Sequence, residues 1–188
     1  MERYFGNIRF RKVQSEINEK WCSWLSDAIA IPYLKNKECQ IHLEFDDDEL
    51  DRFHKEIDIT VKNTLRLNDH HRNQTKPHLF AYYKDVVLVV GEDVFEEMPR
   101  LETEETIFDY VDLKRLSIGK SSLANNFYAN FSGNCDWEME HGVSISFLWG
   151  DKLAMVSSVS HICNSDAYAD KDSDQYIYIG SNITTTLE

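Results

Sequence analysis

The sequence predicts an α+β fold: an antiparallel sheet meander with two helices packed on one side. Three observations lead there. Near the N-terminus Tyr4, Ile8 and Phe10 alternate with Arg3, Arg9 and Arg11, the period of a strand. The middle of the chain turns to a helical period. Beyond residue 126 strand alternation returns and persists. With 188 residues and 42% apolar content, the chain is expected to form one domain over 1–188. Residues 186–188 are expected to be vector-derived or disordered.

Taken in order, Trp21 to Ile31 reads as a strand stopped by Pro32, because the residue before a proline avoids the helical region. Asn36-Lys37 is a turn. Cys39, Ile41, Leu43 and Phe45 then alternate with Gln40, His42 and Glu44 as a hairpin partner. Asp46 to Asn68 carries the strongest helical pattern. Asp46 and Glu49 have the spacing of a capping box, and Leu50, Phe53, Ile57, Val61 and Leu65 form a stripe. Residues 69–76 read as a polar connection. A second helix is expected from Pro77, burying Leu79, Phe80, Tyr83, Val86, Val87 and Val90, although the closing valine run also suits a strand. Ile107 to Val111 suits one helical turn, and 113–119 a strand. Residues 126–133 and 143–149 alternate cleanly, and Gly150-Asp151 marks a hairpin leading to Leu153 and Met155. Residues 164–174 read as a polar tail, with an edge strand over 176–179.

The formal charge is −13. Acidic residues concentrate over 44–60, 92–109 and 136–188. Such a surface repels phosphate backbones and anionic lipid, so neither nucleic acid nor membrane is an expected partner. It attracts basic proteins. The acids of the first cluster are explained by helix capping and the helix dipole. Glu92, Asp93, Glu96, Glu97, Glu102, Glu104 and Glu105 have no such role and are the expected partner-binding residues. No apolar leader segment follows Met1, and the longest apolar run, Val86 to Val90, is too short for a bilayer. The four cysteines lack a C-x-x-C pair. Reduced thiols and a cytoplasmic location are expected.

The densest chemistry lies in Asn134-Cys135-Asp136-Trp137-Glu138-Met139-Glu140-His141-Gly142, between two strands. Three readings of it stand. Trp137, Glu140, His141 and Gly142 can form a structural motif, with Trp137 anchoring a turn and Gly142 supplying a positive φ. Glu138, Glu140 and His141 can bind a divalent metal if a bulge breaks the strand alternation. A histidine beside a glutamate can also work as an acid–base pair. No H-E-x-x-H, G-x-S-x-G or glycine-rich phosphate loop is present, so no catalytic residue is assigned and no cofactor beyond a possible divalent ion is expected. Asp170, Asp172 and Asp174 open like a calcium loop, but Gln175 replaces the required glycine. His70, His71 and His78 are expected to be ordinary loop histidines, and Cys135 a buried strand residue.

Trp137-Glu138-x-Glu140-His141-Gly142, followed by Val143-x-Ile145-x-Phe147 and a tight turn, resembles the W-[DE]-x-E-H-G signature of a family of uncharacterised bacterial domains. The Tyr82-Tyr83 pair and the acidic helix start fit the same pattern. The resemblance covers roughly Ile29 to Val159. It implies the small acidic proteins of toxin–immunity systems: non-enzymatic binders of a basic partner such as a toxin, monomeric or homodimeric. A metal-binding module or metal-dependent hydrolase centred on Glu138, Glu140 and His141 is the alternative.

Overall fold

Alternation of apolar and polar residues sets the sheet, and helices cover its apolar side chains. A computed structural model describes residues 1–14, 22–91, 100–158 and 161–187. Strands β1 (Glu2–Phe5), β2 (Ile8–Gln14) and β3 (Cys22–Ser26) come first. A small separate hairpin follows, β4 (Ile29–Ile31) with β5 (Lys37–Cys39), then β6 (Ile41–Leu43). Three helices come next: α1 (Asp47–Arg52), α2 (His54–Thr64) and α3 (Asp69–Val90). Strands β7 (Val111–Lys120), β8 (Phe127–Cys135), β9 (Glu138–Leu148) and β10 (Lys152–Ser157) form the meander. Helix α4 (Asn164–Tyr168) and the pair β11 (Tyr178–Ile179) and β12 (Thr184–Thr185) close the described chain.

The main sheet has eight strands in the order β1-β2-β3-β6-β7-β8-β9-β10. Every neighbouring pair is antiparallel except β6 and β7, which run parallel. The fold is thus α+β with a meander, and the expected antiparallel sheet carries one parallel join. Trp21 to Ile31 is not one strand: Trp21 lies outside the described residues, and β3 and β4 belong to different sheets. The strand expected over 176–179 forms its ladder with β12, and its Ile177 carbonyl also accepts from Val156 N–H of β10, the edge strand of the main sheet, at 2.7 Å.

One parity of the meander is apolar apart from Lys120 at its end, which lies opposite Phe127. Phe127, Ala129 and Phe131 of β8 lie opposite Phe147 and Ile145 of β9, and all are buried. Phe127 packs edge-on against Phe53 at the α1–α2 junction, and Phe147 meets His71 in α3. The other parity carries a polar patch beside Tyr128, Leu148 and Met155. Ser117, Asn130 and Ser146 stand side by side across three strands, and Asn130 Nδ2 donates to Ser144, Ser146 and the His161 carbonyl. The segment from His161 covers these groups, so the buried amide has partners.

The first helical segment begins as its residues dictate. Glu49 N–H donates to Asp46 Oδ1 at 2.8 Å, and Asp46 N–H to Glu49 Oε2 at 3.2 Å. It breaks at Phe53, whose ring sits between Phe127 and Lys120. On α2, Ile57 and Val61 are buried together with Thr60 and Thr64, whose hydroxyls donate to the carbonyls four residues back. That thin face lets the β9–β10 turn approach. A Cβ on Gly150 would stand 2.3 Å from the Thr60 carbonyl oxygen, so only glycine fits there.

Residues 69–76, expected as a connection, are the first turns of α3. Asn68 caps the helix, accepting from His70 N–H at 2.9 Å, and His71 Nδ1 accepts from Asn68 N–H at 3.2 Å. Pro77 is therefore inside the helix. Its missing N–H would have served the Asn73 carbonyl; both residues are exposed, so water can take that carbonyl. The valine run at the end remains helical. The tail over 164–174 holds α4 and a 3-10 turn over Lys171–Gln175, capped by Asp170. No described helix is long and apolar enough to cross a membrane.

Candidate functional site

The C-terminal half of α3 holds three separate segments through neighbouring residues. Helix periodicity places Tyr82, Tyr83 and Asp85 within one turn, all at least 95% buried. The Tyr82 hydroxyl donates to the Gly142 carbonyl at 2.9 Å. The Tyr83 hydroxyl oxygen accepts from Leu101 N–H at 3.1 Å. The Asp85 carboxylate accepts from the amides of Ser181, Asn182 and Ile183 at 2.8, 2.7 and 3.0 Å, and from the Tyr178 hydroxyl at 3.1 Å. One helix end thus gathers the signature segment, the start of the 100–106 loop and the C-terminal hairpin.

The signature segment forms an outward bulge. Gly133 pairs with Val143 and Cys135 with Glu138, so Met139 to Gly142 is extra chain on β9 facing Asn134 alone. Trp137 is buried edge-on against Tyr82 and Tyr83, with centroid distances of 5.6 and 6.2 Å. Gly142 takes φ +70°, and a Cβ there would stand 2.2 Å from the Gly133 carbonyl oxygen. Glu138 Oε1 accepts from the amides of Glu140 and His141 at 3.2 and 3.4 Å and lies 3.3 Å from His141 Nδ1. The bulge therefore brings Glu138 and His141 together while Glu140 stays exposed. Among the described residues, no group of three or more histidine, cysteine, aspartate or glutamate side chains is arranged to hold a metal ion. Cys135 is buried, and burial pushes its thiol up to about 12, far from a reactive thiolate.

Of the acidic residues expected to meet a partner, Glu92, Asp93, Glu96 and Glu97 lie outside the described residues. Glu102 and Glu105 are exposed and Glu104 is half-buried. Glu105 pairs with Lys76 at 2.8 Å. Asp136 and Glu140 of the bulge are exposed as well. The histidines divide: His71 caps α3, whereas His78 is buried with Nδ1 2.7 Å from Thr185 Oγ1. Burial alone drives its imidazole down to about 4. Asp174, one of the three tail aspartates, accepts from Ser165 N–H at 2.7 Å.

A cleft of about 410 Å³ opens beside Glu138, and sequence reasoning did not find it. Val86, Val89 and Val90 of α3 form an apolar wall, and Tyr168 and Tyr178 contribute across from them. Burial would raise the Asp85 carboxyl in its floor, but the three amides and the Tyr178 hydroxyl outweigh it and hold the group below the ordinary carboxylate range. One signal was present in the sequence: Leu88, Val89 and Val90 are consecutive, so a helix cannot bury them all on one stripe, and they are 66, 63 and 51% exposed. A smaller cleft of about 150 Å³ lies over the polar sheet face, where Arg115 is paired with Glu44 at 3.2 Å.

Comparison with curated proteins and with solved structures returns no match. A family model does fit the chain over residues 9–162, and the protein belongs to that family, described as a domain of unknown function, DUF6985.

Proposed function

We propose that this protein is a non-enzymatic binding protein of the immunity type that engages a basic protein partner, such as a toxin, in the bacterial cytoplasm. The observation that carries this reading is the gathering of acidic segments at one end of α3. The three tethers from Tyr82, Tyr83 and Asp85 put the exposed bulge acids Asp136 and Glu140 and the exposed loop acid Glu102 on segments fixed to the same helical turn, while Glu105, farther along the loop, pairs with Lys76 in the first half of α3. Glu104 belongs to the same loop, and Glu92, Asp93, Glu96 and Glu97, which precede it in the sequence and lie outside the described residues, add to the acidic charge of this stretch of chain. With a net charge of −13, this surface would speed encounter with a cationic protein and disfavour nucleic acid and anionic membrane. Capture of partners from the native cell at low and at physiological salt tests it. A stoichiometric basic protein released by salt is expected; capture indifferent to salt would overturn the reading.

The alternative, a metal-binding module or metal-dependent hydrolase, is favoured only by the 3.3 Å approach of Glu138 to His141. A divalent ion should then raise the melting temperature of the protein, and Glu140→Gln and His141→Ala should abolish that rise while leaving the fold intact. An unchanged melting temperature excludes it.

A further inference from the structure

We propose that the cleft beside Glu138 is an anchor site for one basic side chain, an arginine or a lysine, of the partner; this rests on the basic-partner reading above. The inference follows from which hydrogen-bonding groups of the cleft are already committed. Three tyrosines line it, and each phenolic hydrogen has a protein acceptor. Tyr82 donates to Gly142 O, Tyr168 to Ile179 O at 3.0 Å and Tyr178 to Asp85 Oδ2 at 3.1 Å. The Tyr82 oxygen already accepts from Ser158, and the oxygens of Tyr168 and Tyr178 are the phenol acceptors open to anything that enters.

The charged groups point the same way. Asp85 is held as a buried anion by the three amides of 181–183. Glu138 uses Oε1 for the amides of its own bulge, and no described residue bonds its Oε2. Among the described residues, no lysine, arginine or histidine lines the cleft. Serine side chains complete its described polar side. An anionic ligand would meet two carboxylates with no countercharge, and a neutral ligand would gain no charge-assisted bond. A guanidinium or ammonium, which only donates, matches an acceptor-rich lining. The wall of Val86, Val89 and Val90 suits the methylene stem that arginine and lysine carry behind the charged head. Negative tyrosine ring faces add to the attraction for a cation.

The test uses the full chain and two blocked peptides, a single arginine flanked by glycines and its counterpart with citrulline. Citrulline keeps the shape of the side chain and removes the charge. Backbone amide NMR should show saturable shifts at Glu138, Gly180 and Ser181 with the arginine peptide. Affinity for the citrulline peptide should be at least about tenfold weaker, the loss of one good charge-assisted contact. Val89→Arg, at an exposed position on α3, plants a tethered guanidinium at the mouth and should weaken peptide binding by about tenfold without lowering the melting temperature. Equal binding of the two peptides, or unsaturable shifts scattered over the surface, overturns the site. If Val89→Arg captures a salt-sensitive basic partner as well as the wild type does, the cleft is not its anchor while the basic-partner reading stands. If the arginine peptide saturates the cleft but no basic partner is captured, the site stands and that reading falls.

Discussion

Tyr82 in α3 and Gly142 in β9, 60 residues apart in sequence, are joined by a 2.9 Å hydrogen bond from phenol to carbonyl. It fastens the last residue of the signature bulge to the helix on which the bulge's tryptophan packs. Tyr82→Phe keeps the ring against Trp137 and removes the hydroxyl, which leaves the Gly142 carbonyl without its partner and also breaks the hydroxyl's bond with Ser158. We expect a loss of about 1–3 kcal/mol in urea unfolding, with the Glu138–Gly142 amides exchanging faster than the rest of β9.

Gly142→Ala should be worse. The substitution combines a left-handed backbone with a Cβ placed 2.2 Å from the Gly133 carbonyl oxygen, so β8 or the bulge must move. A cost above about 1 kcal/mol is expected from φ alone, with the clash added to it. Thermal unfolding measures it, and an unchanged midpoint would show that the bulge does not need its positive φ.

Asp85→Asn keeps the size of the side chain and removes the charge that three amides and a phenol share. Loss of charge-assisted bonds should cost about 1.5–3 kcal/mol. Because the Asp85 carboxyl is held below its ordinary range, its contribution is present above the unfolded pKa and fades as pH falls through the folded one. Hydrogen exchange should speed at residues 178–185 before it does at β7 or β8.

His78 gives a second pH dependence. Its folded imidazole titrates near 4 while an unfolded histidine titrates near about 6.5, so the unfolded chain takes up the proton first. Stability is therefore full above that unfolded value and declines as pH falls toward 4. His78→Gln removes the titration. Wild type and variant should show parallel urea midpoints above pH 6.5 and diverge below it, with the wild type losing more.

The meander, the capping box at Asp46 and the buried phenylalanines were legible because each rests on local spacing. The α3 start was not. Asn68 and His71 make a reciprocal cap with an imidazole where glutamate is usual, and Pro77 disguised a helix already two turns long. At the signature, the sequence supplied the residues and left three readings open. The bulge, a three-residue register shift that no alternation pattern encodes, set His141 beside Glu138, and among the described residues no third metal-ligating side chain joins them. The cleft was hidden for a different reason. Its lining comes from α3, β9, β10 and the C-terminal hairpin, segments far apart in sequence.

The parallel join of β6 to β7 divides the sheet into a half that the ribosome delivers early and a half that it delivers late. Strands β1 to β3 and β6 cannot complete their hydrogen bonding until residues 111–120 exist, after all of α1 to α3. Until then the inner edge of β6 stands open, and closing it spans the whole helical layer, a contact of high sequence separation. The nascent chain should consequently acquire its N-terminal strands and its helices first and its seam afterwards. An exposed β6 edge is then the natural place for that half-made sheet to find a wrong partner.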